Sequence, residues 1–298
     1  AAMSAALAAS LPVMPAAHQP LLRIQSGRPG FAPVFCVPGA GDSVTGFVGL
    51  GEALGRDWPL FGLQPRGLDG EAVPHSQVEA AAQCYLTALE HECPQGPVHL
   101  IGHSFGGWVA LEMALRLQAA GREVASLTVI DSEAPGGNGV VGRPYTSTAA
   151  LVRLIEAMQL SAGRSLGIDP VGFAGTDEVA QRHALHAGMV SVGLLPGRAS
   201  SDAMVGPART YAAALRTVYR PGRRYGGVVR LVLAQDPALD AVGNLREQEG
   251  MIEGWRGQGS GLEVWYGGGN HFTLLKAPNV QGLAAWWLEG LVVGEVVS

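Results

Sequence analysis

Residues 98–107 read Val-His-Leu-Ile-Gly-His-Ser-Phe-Gly-Gly, an apolar run that stops at a Gly-x-Ser-x-Gly string and passes at once into a helix-like pattern. The run has the length and composition of a buried strand. Behind the string, Trp108, Leu111, Glu112, Leu115 and Leu117 fall on 3.6-residue spacing with good helix formers between them. Strand, tight turn and helix in that order define a nucleophile elbow, which delivers Ser104 to the edge of a sheet in a strained backbone conformation. Gly102 and Gly106 leave room for the turn, because a Cβ at either place would press on the strand or the helix. The helix N-terminus then aims its free N–H groups and dipole at the same point. Ser104 is therefore the candidate nucleophile.

The rest of the chain supplies the sheet that such an elbow needs. Apolar runs at 21–25, 33–37, 58–64 and 126–130 alternate with helical patterns at 46–54 and 75–92. Strands that read as continuous apolar runs between helices imply a mostly parallel sheet covered on both faces. From 132 to 225 the rhythm breaks into helical segments such as 149–160 and 208–219, separated by Gly- and Pro-bearing loops. It resumes with strands at 228–234 and 262–266 and ends in a helix near 280–292. The middle block, about 133–225, is expected to be a helical lid inserted between two strands of one core.

Composition excludes several other classes. Of 298 residues, 47% are hydrophobic and 15% charged, enough for one large α/β core. A net charge of −5, spread without long runs, argues against nucleic acid or an anionic membrane as the main partner. Cys36, Cys84 and Cys93 form neither a C-x-x-C pair nor a zinc spacing, which fits a reducing cytoplasm and no metal. No apolar run reaches the length of a membrane span. The Ala- and Pro-rich first 20 residues lack the basic n-region of a signal peptide and read as a linker.

A serine hydroxyl needs a base in hydrogen-bond reach and a third group to orient that base. With an elbow serine the partners follow in the order serine, acid, histidine. His271 meets the requirement for the base, in the glycine-rich loop Gly-Gly-Gly-Asn-His-Phe after the last apolar strand. His103, beside the serine, is expected to face away along the turn. Two strand ends offer an acid: Asp131 after the elbow helix, and Asp236, with Asp240 close behind, after the insert. A carboxylate at a strand end can also cap the next helix, so the residues alone leave both open. For the oxyanion hole, one donor is expected from the backbone N–H of Phe105. The second is expected from the glycine-bearing loop at 38–42, with the Ala40 N–H as the candidate.

With these residues in view, the chain resembles the type I thioesterase domains that end nonribosomal peptide synthetases and some polyketide synthases. The resemblance runs from about residue 21 to 291 and is carried by Val-Phe-Cys-Val-Pro-Gly-Ala-Gly at 34–41, Gly-His-Ser-Phe-Gly-Gly at 102–107, and the stretches 127–135 and 267–275. It implies an α/β-hydrolase fold with a helical lid over residues 21–298, and it places the acid at Asp131. Pro38 and Asp42 stand where many relatives have histidine and glycine, departures that touch no triad position. The resemblance further implies a substrate delivered as a thioester on the phosphopantetheine arm of a carrier domain, with no cofactor of the domain's own. Ser104 would take the acyl or peptidyl chain, and water or a nucleophile of the same chain would release it as an acid or a macrocycle. Residues 1–20 would then link to a preceding carrier domain. A stand-alone editing (type II) thioesterase and a small-molecule esterase are the rival readings, the former with its acid at Asp236 or Asp240.

Overall fold

A computed structural model of the chain describes residues 18–136 and 146–295. Seven strands form one sheet: β1 (Leu21–Gln25), β2 (Val34–Val37), β3 (Leu60–Leu63), β4 (Val98–His103), β5 (Val124–Ile130), β6 (Tyr225–Leu233) and β7 (Gly259–Tyr266). Their order across the sheet is β1-β3-β2-β4-β5-β6-β7. Only β1 runs antiparallel to its neighbour, and the six others are parallel. The elbow strand β4 lies at the centre.

Side-chain alternation divides these strands between two cores. Phe35, Val37, Leu100, Leu127, Val129 and Leu231 point into one core, beneath α2 (Val78–Glu92), α3 (Gly106–Ala119) and α8 (Ala241–Arg256). Val34, Cys36, Ile101, Ile130 and Val232 point into the other, beneath α1 (Val48–Leu54) and α9 (Asn279–Glu295). Both faces are therefore dry, which is why the central strands read as unbroken apolar runs rather than alternating ones.

Between β5 and β6 lie α4 (Ser147–Ala162), α5 (Pro170–Ala174), α6 (Glu178–Ser191) and α7 (Val205–Arg216), with no strand among the described residues. Leu154, Ile155, Phe173, Leu185 and Met189 give this block a small core of its own. The expected insert at 133–225 covers these helices, although 137–145 lie outside the described residues, as does nearly all of the expected linker at 1–20. The pattern reading did not foresee α5, α6 or α8.

The α7 helix ties the insert to two loops at the edge of the sheet. A Cβ on Gly206 would run into the Leu68 carbonyl, and one on Gly41 would lie 2.9 Å from the Pro207 carbonyl and 3.0 Å from the Tyr211 Cβ. Arg209 donates to the Gly70 carbonyl at 2.9 Å, and the Thr217 hydroxyl to that of Ser76 at 3.3 Å. One helix thus clamps the loop after β2 and the loop after β3.

Candidate active site

The parallel strands end on one edge of the sheet, and three of those ends build the site. At the end of β4, Ser104 takes φ 52°, and its N–H donates to the Ile130 carbonyl at 2.8 Å, extending the ladder into the turn. A Cβ on Gly102 would collide with the Gly106 carbonyl, and one on Gly106 with the Val37 carbonyl. Strand and helix touch backbone to backbone here, as the elbow requires. At the end of β5, Asp131 takes φ 45° and donates its N–H to the Val232 carbonyl at 2.7 Å. Among the described residues, Ser104 and Asp131 are the two non-glycine residues with positive φ. Strain concentrated at two facing strand ends marks a functional site.

The loop after β7 brings His271 across. Its Nδ1–H donates to Asp131 Oδ2 at 2.7 Å, while the Ala234 N–H donates to Asp131 Oδ1 at 2.9 Å. Both carboxylate oxygens are held, so the ring is fixed from Nδ1 and its Nε2 is left free. Burial alone would raise the Asp131 pKa; the bond from His271, that ring's charge and the Ala234 N–H together outweigh it and hold the carboxyl below its usual range.

The loop itself is braced from within. The Asn270 side chain accepts from the Phe272 N–H and the Thr273 hydroxyl, both at 3.0 Å, and Asn279 at the start of α9 donates to the Thr273 carbonyl at 3.1 Å.

His103 does not face away. Its Nε2 lies 3.0 Å from the His271 carbonyl, and the two rings pack with centroids 4.7 Å apart. A carbonyl only accepts, so His103 carries its proton on Nε2. Burial first, and the neighbouring His271 second, push its pKa down to about 3. The ring stays neutral and works as a strut. The signal was available: a period of two puts His103 on the same side of β4 as Ile101, the side where the His271 loop descends into α9.

The competing acids have other partners. Asp236 accepts the Ala238 N–H at 2.8 Å in its own turn, and Asp240 caps α8 by accepting the Gly243 N–H at 2.7 Å. On the other side of the serine lie the Phe105 and Ala40 backbone amides. Neither N–H has an acceptor among the described residues, and both residues line one small cavity. Asp42 sits next to this loop. Its Oδ2, the Ser104 Cβ and the His103 Nδ1 all fall within 3.3 Å of the point a Gly39 Cβ would occupy, and burial raises the Asp42 pKa. Among the described residues no group of three or more His, Cys, Asp or Glu side chains could hold a metal ion. Among the described residues no helix is long and apolar enough to cross a membrane.

Comparison with known proteins gives this geometry its setting. Residues 32–169 match the thioesterase domain family. The dimodular nonribosomal peptide synthase of Bacillus subtilis is 34% identical over 162 residues, 54% of this chain and 7% of that protein. The chain is thus similar to a small part of a much longer enzyme. Among solved structures, a four-domain nonribosomal peptide synthetase superposes over 91% of this chain and 20% of its own, with a TM-score of 0.76 and 22% identity. The type II thioesterase BorB from the borrelidin cluster superposes over 92% of this chain and 98% of its own, with a TM-score of 0.63 and 20% identity. Elbow, mostly parallel sheet and sequence from 32 to 169 agree: residues 32–169 carry thioesterase-domain sequence, and the chain has the α/β-hydrolase fold of the thioesterase structures it superposes on.

Proposed function

We propose that this domain releases an acyl or peptidyl chain from the phosphopantetheine arm of a carrier domain through an acyl-enzyme on Ser104. The observation that carries the reading is the Asp131–His271 bond of 2.7 Å, at strand ends next to the elbow serine. In the first half-reaction the Ser104 hydroxyl attacks the thioester carbonyl as His271 Nε2 accepts its proton. Asp131 orients the imidazole and stabilises the imidazolium. Negative charge on the tetrahedral oxygen is met by the Phe105 and Ala40 N–H groups; losing one such donor costs about 3–4 kcal/mol in the transition state. Collapse expels the thiol of the arm, which takes the proton from His271. Water, or a hydroxyl or amine of the same chain, then attacks the ester with His271 again as base. The product is an acid or a macrocycle, and α4–α7 form the lid over the acyl chain.

Intact-protein mass spectrometry with peptidyl and short acyl N-acetylcysteamine thioesters tests this directly. An adduct on Ser104 from peptidyl thioesters, resolving to acid or ring and absent in Ser104→Ala, is the expected result. Fast hydrolysis of acetyl groups with peptidyl chains ignored would replace terminal release by the editing duty. Asp131→Asn is expected to lower turnover by about 10⁴-fold, since the wrong tautomer is left at the base. Asp236→Asn should change it little; the opposite ranking would move the acid.

A further inference from the structure

The cavity lined by Ala40 and Phe105 is also lined by polar side chains that the release chemistry does not use. It is small, about 40 Å³, room for a few waters or one compact polar group. Ala40 and Phe105 line it, and so do Arg66, His75 and Tyr85. The His75 Nε2 is buried without a hydrogen-bond partner. Arg66 makes no ion pair with any described residue, and no described residue hydrogen-bonds the Tyr85 hydroxyl. A buried imidazole nitrogen left unpaired is costly, and the residue that carries it lines this cavity.

The segment that carries Arg66 and His75 is built rather than loose. Asp69 accepts the N–H groups of Glu71 and Ala72 at 3.0 and 3.3 Å, which folds the loop on itself. Gly206, Arg209 and Thr217 then lock it to α7. Asp69 is nevertheless close enough to His18 to act on it, and it is the acidic group facing the cluster. Burial and the Arg66 and His18 charges lower the His75 pKa, so the ring presents a neutral nitrogen to whatever enters. An arginine, a histidine and a tyrosine lining one cavity supply a donor set for an anionic oxygen group.

We propose that this cavity is a subsite for a carboxylate borne by the acyl chain, held by Arg66 and His75 while the thioester carbonyl lies at the Ala40 and Phe105 amides. This rests on the thioesterase reading and names the class of acyl chain it takes. The phosphate of the carrier's arm lies at the far end from the thioester, so it does not reach a cavity that the oxyanion donors border. A carboxylate a few bonds from the reacting carbonyl does reach it. Its charge meets Arg66 and its second oxygen the unpaired His75.

Binding, measured apart from turnover, tests the subsite independently of the reaction. Ser104→Ala protein is titrated by calorimetry with glutaryl, adipyl and pimelyl N-acetylcysteamine thioesters, each paired with its uncharged terminal carboxamide. At one chain length the acid is expected to bind at least tenfold more tightly than the amide. Arg66→Gln in the same background should bring that ratio close to one, and Arg66→Lys should keep part of it. Arg66 is exposed, so neither change threatens folding. Equal binding of acid and amide at every length, no binding of either, or a preference that survives Arg66→Gln would each overturn the subsite. If the acid preference holds but the wild-type protein never acylates Ser104, the subsite stands and the thioesterase mechanism falls.

Discussion

Ser104 and Asp131 hold φ angles of 52° and 45°, a region that costs an L-residue roughly 1–2 kcal/mol. Neither can relax, because each N–H is tied to the neighbouring strand. Ser104→Gly should therefore unfold at a higher urea concentration than Ser104→Ala, by about 1 kcal/mol, although both lack the nucleophile. Equal midpoints would mean that the elbow stores no strain. The buried histidines make a second prediction. Burial pushes the pKa of His99 down to about 4 and that of His103 to about 3, against 6.5 in the open chain. Between these values the unfolded state binds protons that the folded state refuses. The stability is complete above pH 6.5 and lost as pH falls, by up to about 1.4 kcal/mol per pH unit for each ring. Urea titrations from pH 7 to 4.5 should show this slope, and His103→Gln should flatten it; an unchanged slope would assign the acid loss to other groups. At this scale Ser104, His271 and the strand-end carboxylates were legible because their chemistry demands particular residue types at strand ends. The strut role of His103 was legible only in part: a period of two gives its face of β4, but not that the His271 loop covers that face.

Elements show the same division between local signal and tertiary cause. The strands appeared within a few residues of their patterns, since burial on both faces of the sheet leaves an unmistakable apolar run, and so did the helices α1, α2, α3 and α9. The helix α8 escaped because its surface inverts the usual code: Gln248 and Trp255 are buried while Val242 and Leu245 are exposed. Its clearest mark is the cap, Asp240, and α6 likewise starts on a cap, Asp177, which accepts the Ala180 N–H at 2.8 Å. Arg230 on β6 illustrates an element held by a buried charge. Its guanidinium pairs with Glu263 on β7 at 3.0 Å, donates to the Trp287 and Trp286 carbonyls of α9 at 3.0 and 3.1 Å, and lies 4.1 Å from the Trp286 ring centroid. A Cβ on Gly290 would collide with that pinned guanidinium. Helix propensity favours Gly290→Ala by about 1 kcal/mol, but the pinned group cannot yield. The variant is expected to lose about 2 kcal/mol in chemical denaturation. A gain would show that the Arg230 network is soft.

Across the whole molecule, α7 is what makes the site one object. The loop after β2 carries Ala40, and the loop after β3 carries Arg66 and His75. No local pattern in either loop says that they meet, because the contact is made by a helix more than a hundred residues further along the chain. Gly206 is where that contact is tightest, against the Leu68 carbonyl. Gly206→Ala is expected to push the loop at 65–77 away from α7. The separate small core of the insert, around Leu154, Phe173 and Leu185, should hold α4–α6 together meanwhile. Hydrogen exchange should then quicken at 65–77 and not in α4 or α6. Thioester turnover should fall about tenfold or more, since a shift near 1 Å at the reacting carbonyl is enough for such a loss. Arg209→Gln, which removes only the bond to the Gly70 carbonyl, should show the same pattern more weakly. Faster exchange at 65–77 with unchanged turnover would separate the loop from the reaction. Unchanged exchange would show that α7 does not set where the loop lies.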